Sequence, residues 1–454
     1  MTSQISKKGL EDFRRRQFAG PNVVCGSSDE ILNNTATTTG PTKGLPDARR
    51  VIIHFDVDAF YAQVEEVRDH SLRHKPLGIT QKYLVVTCNY LAREAGVTKL
   101  MAISEAKKKC PHLILVSGED LTPYREASKL IYGALKIYGP AEKLGMDEVY
   151  VDVTREVQMR IDRGAMDNCW HGHVHCARNG VTSDNIHRPM DLRASAADPA
   201  VSQTGGAGAV ETGCRLRLQV GTAIAREARA ALARCPGFRS SAGVAHNKLL
   251  AKLVGGLHKP DDQTCLPADE ASAFIAPLPV RAMAGVGYKT ERQLQDAQIT
   301  TVDQLRCLPL DQLSKLLGAR VAQFLSEAAR GRDARPVEEK GPPQSISVED
   351  SFKACSCFSK VETVLRVLAP DLLRRLVQDK EEFGRRATTL RVTWRHQGAK
   401  RASCSSPMPQ EVALQGMAVA HKVQAERPHA AGLPEMCSVD LRAVPLISSR
   451  GAHR

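Results

Sequence analysis

Two short acidic clusters in this chain are of the right types and spacing to do chemistry. Asp56-Val57-Asp58 closes the apolar run Val51-Ile52-Ile53-His54-Phe55, and Asp147-Glu148 stands just before the alternating Val149-Tyr150-Val151-Asp152-Val153. Carboxylates crowded at strand ends repel one another unless a divalent cation neutralises them. Two such pairs converging on one sheet make an oxygen-ligand site suited to Mg²⁺. Phosphoryl-transfer chemistry needs that arrangement. Either cluster alone is a weak signal, because Asp and Glu at strand ends are commonly solvated turn residues. Residues two apart share a strand face, so spacing by itself pairs Asp58 with Asp56.

The elements that must position these residues are readable from the pattern. A buried strand from Arg50 to Phe55 feeds a helix with Phe60, Val64 and Val67 at helical spacing. Tyr83 to Thr87 reads as a second strand, followed by a short helix from Tyr90 that stops at Gly96, and Leu113 to Val116 is a third buried run. Thr122-Pro123 opens a helix that puts Ile131 and Leu135 on one face. Strand signals flank Asp147-Glu148, so both clusters are predicted on one α+β sheet. From Glu156 to Gly213 the order breaks down into Ala, Ser, Gly and Pro, which predicts a surface insertion. The core resumes with a helix over Arg215 to Ala233.

Composition narrows the class. The chain has 454 residues, enough for about three domains. Its net charge of +13 beside an acidic pocket suits a polyanionic substrate, with phosphates held by Lys and Arg and metal held by carboxylates. The thirteen cysteines show no paired CxxC spacing, which predicts free thiols in a reducing compartment. The first residues lack the apolar core of a secretory signal, and no run approaches a membrane span, so a soluble, intracellular protein with no membrane contact is expected. Residues 1–49 are poor in core formers and read as a mobile tail. Cys169, His171, His173, His175 and Cys176 cluster in the insertion, at a spacing that fits no standard zinc pattern.

Beyond spacing, Asp56 to Glu65 (DVDAFYAQVE) resembles the first polymerase motif of the Y-family translesion DNA polymerases. Gln81-Lys82-Tyr83-Leu84-Val85-Val86-Thr87-Cys88-Asn89-Tyr90, with Ala92-Arg93 and Gly96-Val97, resembles the fingers of that family's iota branch. The strings Gly118 to Arg125, Asn247 to Val254, His258-Lys259-Pro260 and Gly341 to Ser345 agree with the same branch, in order and at compatible spacing from about Arg50 to His396.

The resemblance implies an α+β multidomain, right-hand polymerase. Its palm would comprise 50–59 and 121–269, with an insertion at about 158–213, and its fingers 60–120. A helical thumb with a helix-hairpin-helix would occupy 270–333 and a little finger 342–440, with a tail at 441–454. It implies error-prone, template-directed DNA synthesis for damage bypass and repair, on primed or damaged DNA with deoxynucleoside triphosphates, in the nucleus. Two Mg²⁺ ions, or Mn²⁺, would be held by Asp56, the Val57 backbone carbonyl, Asp147 and Glu148, with Glu148 nearest to receive the primer hydroxyl proton. The resemblance thus uses the Val57 carbonyl where spacing nominates Asp58, for which a structural role is equally open.

It further implies that Phe60 and Tyr61 lie at the incoming nucleotide, Tyr61 as the gate against a ribose 2′-hydroxyl. Thr87, Tyr90 and Arg93 would face the phosphate chain from one strand-to-helix turn, with Lys99 and Lys259 as point charges. Gln81 and Leu84 would narrow the nascent-base pocket, so that fidelity depends on the template base. Gly285-Val286-Gly287 and Lys289 resemble a hairpin loop that meets DNA phosphate without reading sequence. A lyase activity belongs to the family, but no Lys for it is identified. The pattern departs from the family beyond about Gln397, where Met408 to Arg454 lacks a clear final strand, so the little finger is expected to be incomplete or altered. The resemblance also implies a sliding clamp and ubiquitin-dependent partners, but the C-terminal segments that would bind them are not expected within this chain. A non-catalytic DNA-binding scaffold is the alternative if that altered end prevents productive binding.

Overall fold

The computed structural model describes residues 49–164, 169–175, 207–355, 358–396, 400–408 and 436–448. The expected N-terminal tail, apart from Arg49, lies outside the described residues. The chain divides into two units, Met1–Glu339 and Lys340–Arg454.

In the first unit, β1 (Ile52–Val57) runs into α1 (Phe60–Arg68) through Asp58 and Ala59, the latter in the left-handed region at φ 45°. There follow β2 (Leu77–Gln81), β3 (Leu84–Cys88), α2 (Tyr90–Glu94), β4 (Met101–Ala102), α3 (Ile103–Lys109) and β5 (Ile114–Ser117). These four strands form a sheet in the order β4-β3-β2-β5, with its own core of Val85, Cys88, Ala92, Val97 and Leu113. Next come α4 (Thr122–Leu135), β6 (Ala141–Leu144), β7 (Glu148–Asp152), α5 (Thr154–Asp162), β8 (His173–Val174), α6 (Ala207–Arg234), β9 (Ser240–Ala245), α7 (Lys248–Val254) and β10 (Gln263–Cys265). Here β6-β7-β1-β9-β10-β8 make a six-stranded sheet.

Strand β1 is central, and its alternation assigns its two faces. Ile53, Phe55 and Val57 pack with Ile131, Leu135, Ile224 and Leu232 of α4 and α6. Ile52 packs instead with Leu249 and Leu250 of α7. His54 and Asp56 have the parity of Ile52 and therefore emerge on the α7 side. Antiparallel pairing sets Asp56 opposite Glu148 and Ser241. Both acidic clusters therefore converge on one sheet.

The insertion begins later and ends earlier than the sequence predicts. Helix α5 continues to Asp162, β8 adds a parallel edge beside β10, and α6 begins at Ala207 rather than Arg215. The Ala- and Gly-rich start of α6 reads as loop because Gly disfavours helix, and the extended helix overrides it. Beyond β10 the unit is helical: α8 (Ala271–Ile275), α9 (Tyr288–Asp296), α10 (Val302–Cys307), α11 (Leu310–Leu317) and α12 (Ala319–Ala328). A full capping box at Thr301 and Gln304 starts α10.

The second unit holds β11 (Ile346–Cys355), α13 (Phe358–Phe383), β12 (Arg385–His396), β13 (Arg401–Pro407) and β14 (Met436–Ser448). The sheet order is β11-β14-β12-β13. This corrects the expectation that the strands fail after Gln397 and that 441–454 is only a tail. Strand β14 inserts between β11 and β12, burying Val439, Leu441 and Ala443 against Leu365 and Leu372 of α13. The alternation Val439-Asp440-Leu441-Arg442-Ala443 is the local reason: a strand needs one apolar face, not a β-branched run. Residues 409–435 lie outside the described residues. The sheet exposes Arg391, Arg395 and Arg401.

Candidate active site

The site forms where β1 ends. Val57 N–H donates to the Asp147 carbonyl at 3.0 Å, tying the exit of β1 to the loop that precedes β7. Asp56 and Glu148 then face each other across the strand pair. Asp58 turns inward and is 4% exposed. It accepts from Ser241 Oγ at 2.9 and 3.0 Å and from the Asp261 backbone N–H at 2.8 Å. Burial raises its proton affinity, and those two donors oppose the rise. Asp58 is thus occupied in joining β1 to β9 and to the loop after His258. We expect Asp58→Ala to lower stability by about 2–3 kcal/mol, because it leaves the buried Ser241 hydroxyl and the part-buried Asp261 N–H without their acceptor. A melting curve on the purified variant checks this; an unchanged midpoint would contradict the structural role.

Asp56 and Glu148 each carry a lysine. Lys259 Nζ lies 2.6 Å from Asp56 Oδ2, and Lys252 Nζ lies 2.5 Å from Glu148 Oε1. Asp147 is held above the ordinary carboxylate range, first by burial and then by Asp56 and Glu148, with Lys99 easing the repulsion. Among the described residues no three His, Cys, Asp or Glu side chains stand close enough to hold an ion in this conformation. The donor set nevertheless fits hard divalent cations. It consists of oxygens alone, three mutually repelling carboxylates beside the Val57 backbone carbonyl, with ammonium groups drawn onto Asp56 and Glu148.

Lys252 and His54 are site residues that the sequence reading missed. Lys248 and Lys252 sit four apart on the otherwise apolar α7, where an inward-facing cation signals a carboxylate partner; Lys248 meets Glu142 at 2.5 Å. His54 shares the face of Asp56, with Nε2 3.9 Å from Glu148 Oε1 and no hydrogen-bond partner among the described residues. Burial, then Lys252 and Lys259, push its proton affinity well down, so the imidazole is neutral.

The nucleotide-side residues divide by environment. The Tyr61 ring is half-buried, its hydroxyl donates to Sδ of Met146, the residue before Asp147, at 3.8 Å, and its proton affinity is raised by burial and then by Asp147. Phe60 is packed among Tyr61, Tyr124 and Phe238, so its side chain belongs to the core; the apolar side of α1 claims it. The Tyr90 phenol's proton affinity is likewise raised by burial and by the nearby Asp58 and Asp56. Arg93 stacks on Tyr90 at 4.4 Å and donates through Nε to the Cys88 carbonyl at 3.2 Å. Thr87 is half-buried on β3, and Lys99 is exposed.

Gln81 donates to the Gly118 carbonyl at 2.9 Å, which fixes its amide, and Leu84 is half-buried beyond the turn. Gly285 adopts φ +91°, where a Cβ would press on the Phe324 ring at 3.2 Å. At Gly287 a Cβ would meet nothing within 4 Å, which leaves the backbone open beside exposed Tyr288 and Lys289. In the insertion, His173 hydrogen-bonds Asp262 at 2.9 Å and stacks on His258 at 3.7 Å. Cys176 lies outside the described residues. None of the described helices is long and apolar enough to cross a membrane.

Comparison with known proteins adds an independent line. The profile of the impB/mucB/samB family matches residues 55–256, and that of the DNA polymerase-iota thumb domain matches residues 281–333. The chain is 40% identical over 398 residues to DNA polymerase iota of Mus musculus, covering 86% of this chain and 50% of that protein. It is 42% identical over 349 residues to DNA polymerase iota of Drosophila melanogaster, covering 76% and 44% respectively. It is 31% identical over 310 residues to DNA polymerase IV of Alkalilimnicola ehrlichii, covering 67% of this chain and 70% of that one. The chain spans about half the length of the iota relatives it matches.

Proposed function

Because the chain belongs to the impB/mucB/samB family, the Y-family of DNA polymerases, we propose that it is an error-prone, template-directed DNA polymerase that extends primers across damaged DNA. The observation that carries the reading is the convergence of carboxylates where β1 ends: Asp56 stands opposite Glu148 across the strand pair, and Asp147 is tied to β1 through the Val57 N–H. Asp56, the Val57 carbonyl, Asp147 and Glu148 would hold two Mg²⁺ or Mn²⁺ ions. When bound, these would acidify the primer 3′-hydroxyl and steady the triphosphate.

The chain's own groups do the rest. Glu148 receives the hydroxyl proton, which its contact with Lys252 restrains until that ammonium moves away. Lys259, freed from Asp56, joins Lys99, Arg93, Tyr90 and Thr87 in holding the phosphates. Tyr61 supports the sugar, and Gln81 and Leu84 bound the base, so we propose a template-dependent error rate that is worst opposite T. Gly285, Gly287 and Lys289 meet the DNA backbone, and the exposed arginines of the second unit supply further phosphate contacts. Residence in the nucleus, and recruitment by a sliding clamp and ubiquitin-dependent partners, belong to the same proposal.

Single-nucleotide primer extension on templates A, G, C and T, with and without EDTA, tests the reading. Expected is metal-dependent, templated addition that is efficient opposite A and inaccurate opposite T. No addition, with primed DNA still shifted on a gel, would replace the enzyme with a scaffold.

A further inference from the structure

We infer that helix α4 sets the sugar selectivity of the site, with Tyr124 and Met146 as positioning residues for the Tyr61 ring. The inference rests on the polymerase reading and extends it to residues away from the nucleotide.

Tyr61 is stacked on Tyr124 with ring centroids 4.2 Å apart and an interplanar angle of 21°. Tyr124 is 0% exposed, and its hydroxyl donates to Glu65 Oε1 at 2.8 Å; Glu65 in turn is gripped by Arg68 at 2.9 Å. The lower ring is therefore locked at both its face and its tip. The upper ring is held at its own tip as well, since Tyr61 Oη donates to Met146 Sδ at 3.8 Å. Met146 is fixed in its turn, because Ser128 Oγ donates to its backbone carbonyl.

Tyr124 and Ser128 are four residues apart, one turn of α4, so they lie on the same buried face. One helix thus indexes two things at once: the plane of the Tyr61 ring and the residue immediately before Asp147. A gate that rejects one added hydroxyl by collision works only if the ring cannot yield, because contact repulsion rises steeply over tenths of an ångström. A ring free to tilt admits the hydroxyl yet still supports a deoxyribose. Loss of the support is therefore expected to relax selectivity more than it slows deoxynucleotide addition.

The test is the ratio of kcat/KM for deoxynucleotide to that for ribonucleotide in primer extension by the full chain. Tyr124→Leu, which removes the stacked ring, is expected to lower the ratio about tenfold or more, with kcat for deoxynucleotide within about threefold. Tyr124→Phe keeps the ring and is expected to restore the ratio to near wild type. Met146→Leu keeps the volume, removes the sulfur acceptor and is expected to lower the ratio about threefold with an unchanged melting point. A folded Tyr124→Leu with the wild-type ratio, or one whose ratio changes only because all addition is lost, overturns the inference. Should Tyr124→Leu fail to fold, a wild-type ratio in Met146→Leu overturns it. A wild-type chain that adds neither nucleotide fails at the polymerase reading instead, and the inference falls with it.

Discussion

Asp147→Asn is expected to abolish templated nucleotide addition, by about 10³-fold or more, while leaving the metal-free protein more stable at neutral pH. The rate loss follows from removing one of three carboxylates that would share the divalent ions, an electrostatic contribution of about 4 kcal/mol to the transition state. The stability gain follows from the environment of Asp147, whose proton affinity lies above its ordinary value of 3.8 because it is buried beside Asp56 and Glu148. A carboxyl shifted upward favours the fold most below its ordinary value and loses that contribution as pH rises through the folded value. Asn carries no such charge. The variant should therefore melt above wild type at neutral pH in EDTA, and the gap should close as pH falls toward about 4. Paired melting curves across that range decide it; a variant less stable than wild type at neutral pH would mean that Asp147 is a structural carboxylate, as Asp58 is.

Gly243→Ala is expected to cost about 4 kcal/mol or more and to lower the melting midpoint by about 10 °C. Gly243 lies in β9 directly beneath α7, opposite His54 of β1. A Cβ there would meet the Ala251 carbonyl and stand 2.6 Å from Gly255 N and 2.8 Å from its Cα. These are backbone atoms that cannot swing aside, so the whole of α7 must lift. That helix carries Lys248 and Lys252 and packs Leu249 and Leu250 on the sheet, so nucleotide addition should fall together with stability. Ser in place of Gly should be no better tolerated. A variant with the wild-type midpoint would show that the strand and helix are less closely seated than their backbones indicate.

The sequence displays the β1-turn-α1 unit clearly, because an apolar run, two acids and a helical apolar spacing follow one another without interruption. The pairing of Asp56 with Glu148 was legible only as a convergence on one sheet, since strand order is a long-range property. Which acid in Asp56-Val57-Asp58 serves chemistry was not decidable from spacing, because what fixes Asp58 is Ser241 and the Asp261 backbone, far along the chain. Lys252 and His54 were hidden for a different reason: each sits in an apolar element where a lone polar residue usually has a structural partner. Strand β14 is weakly marked in the sequence because it has few β-branched residues, although its alternation of Val439, Leu441 and Ala443 with Asp440 and Arg442 carries the same information.

The most direct test counts divalent ions. Mn²⁺ bound to the purified chain is measured by electron paramagnetic resonance, with primed DNA and a non-hydrolysable deoxynucleoside triphosphate present, in wild type and in Asp147→Asn. Two ions per chain in the wild-type complex, and at most one in the variant, are expected if Asp56, Asp147 and Glu148 form a two-ion polymerase site. Equal Mn²⁺ uptake by the two proteins, or none by either, would contradict it.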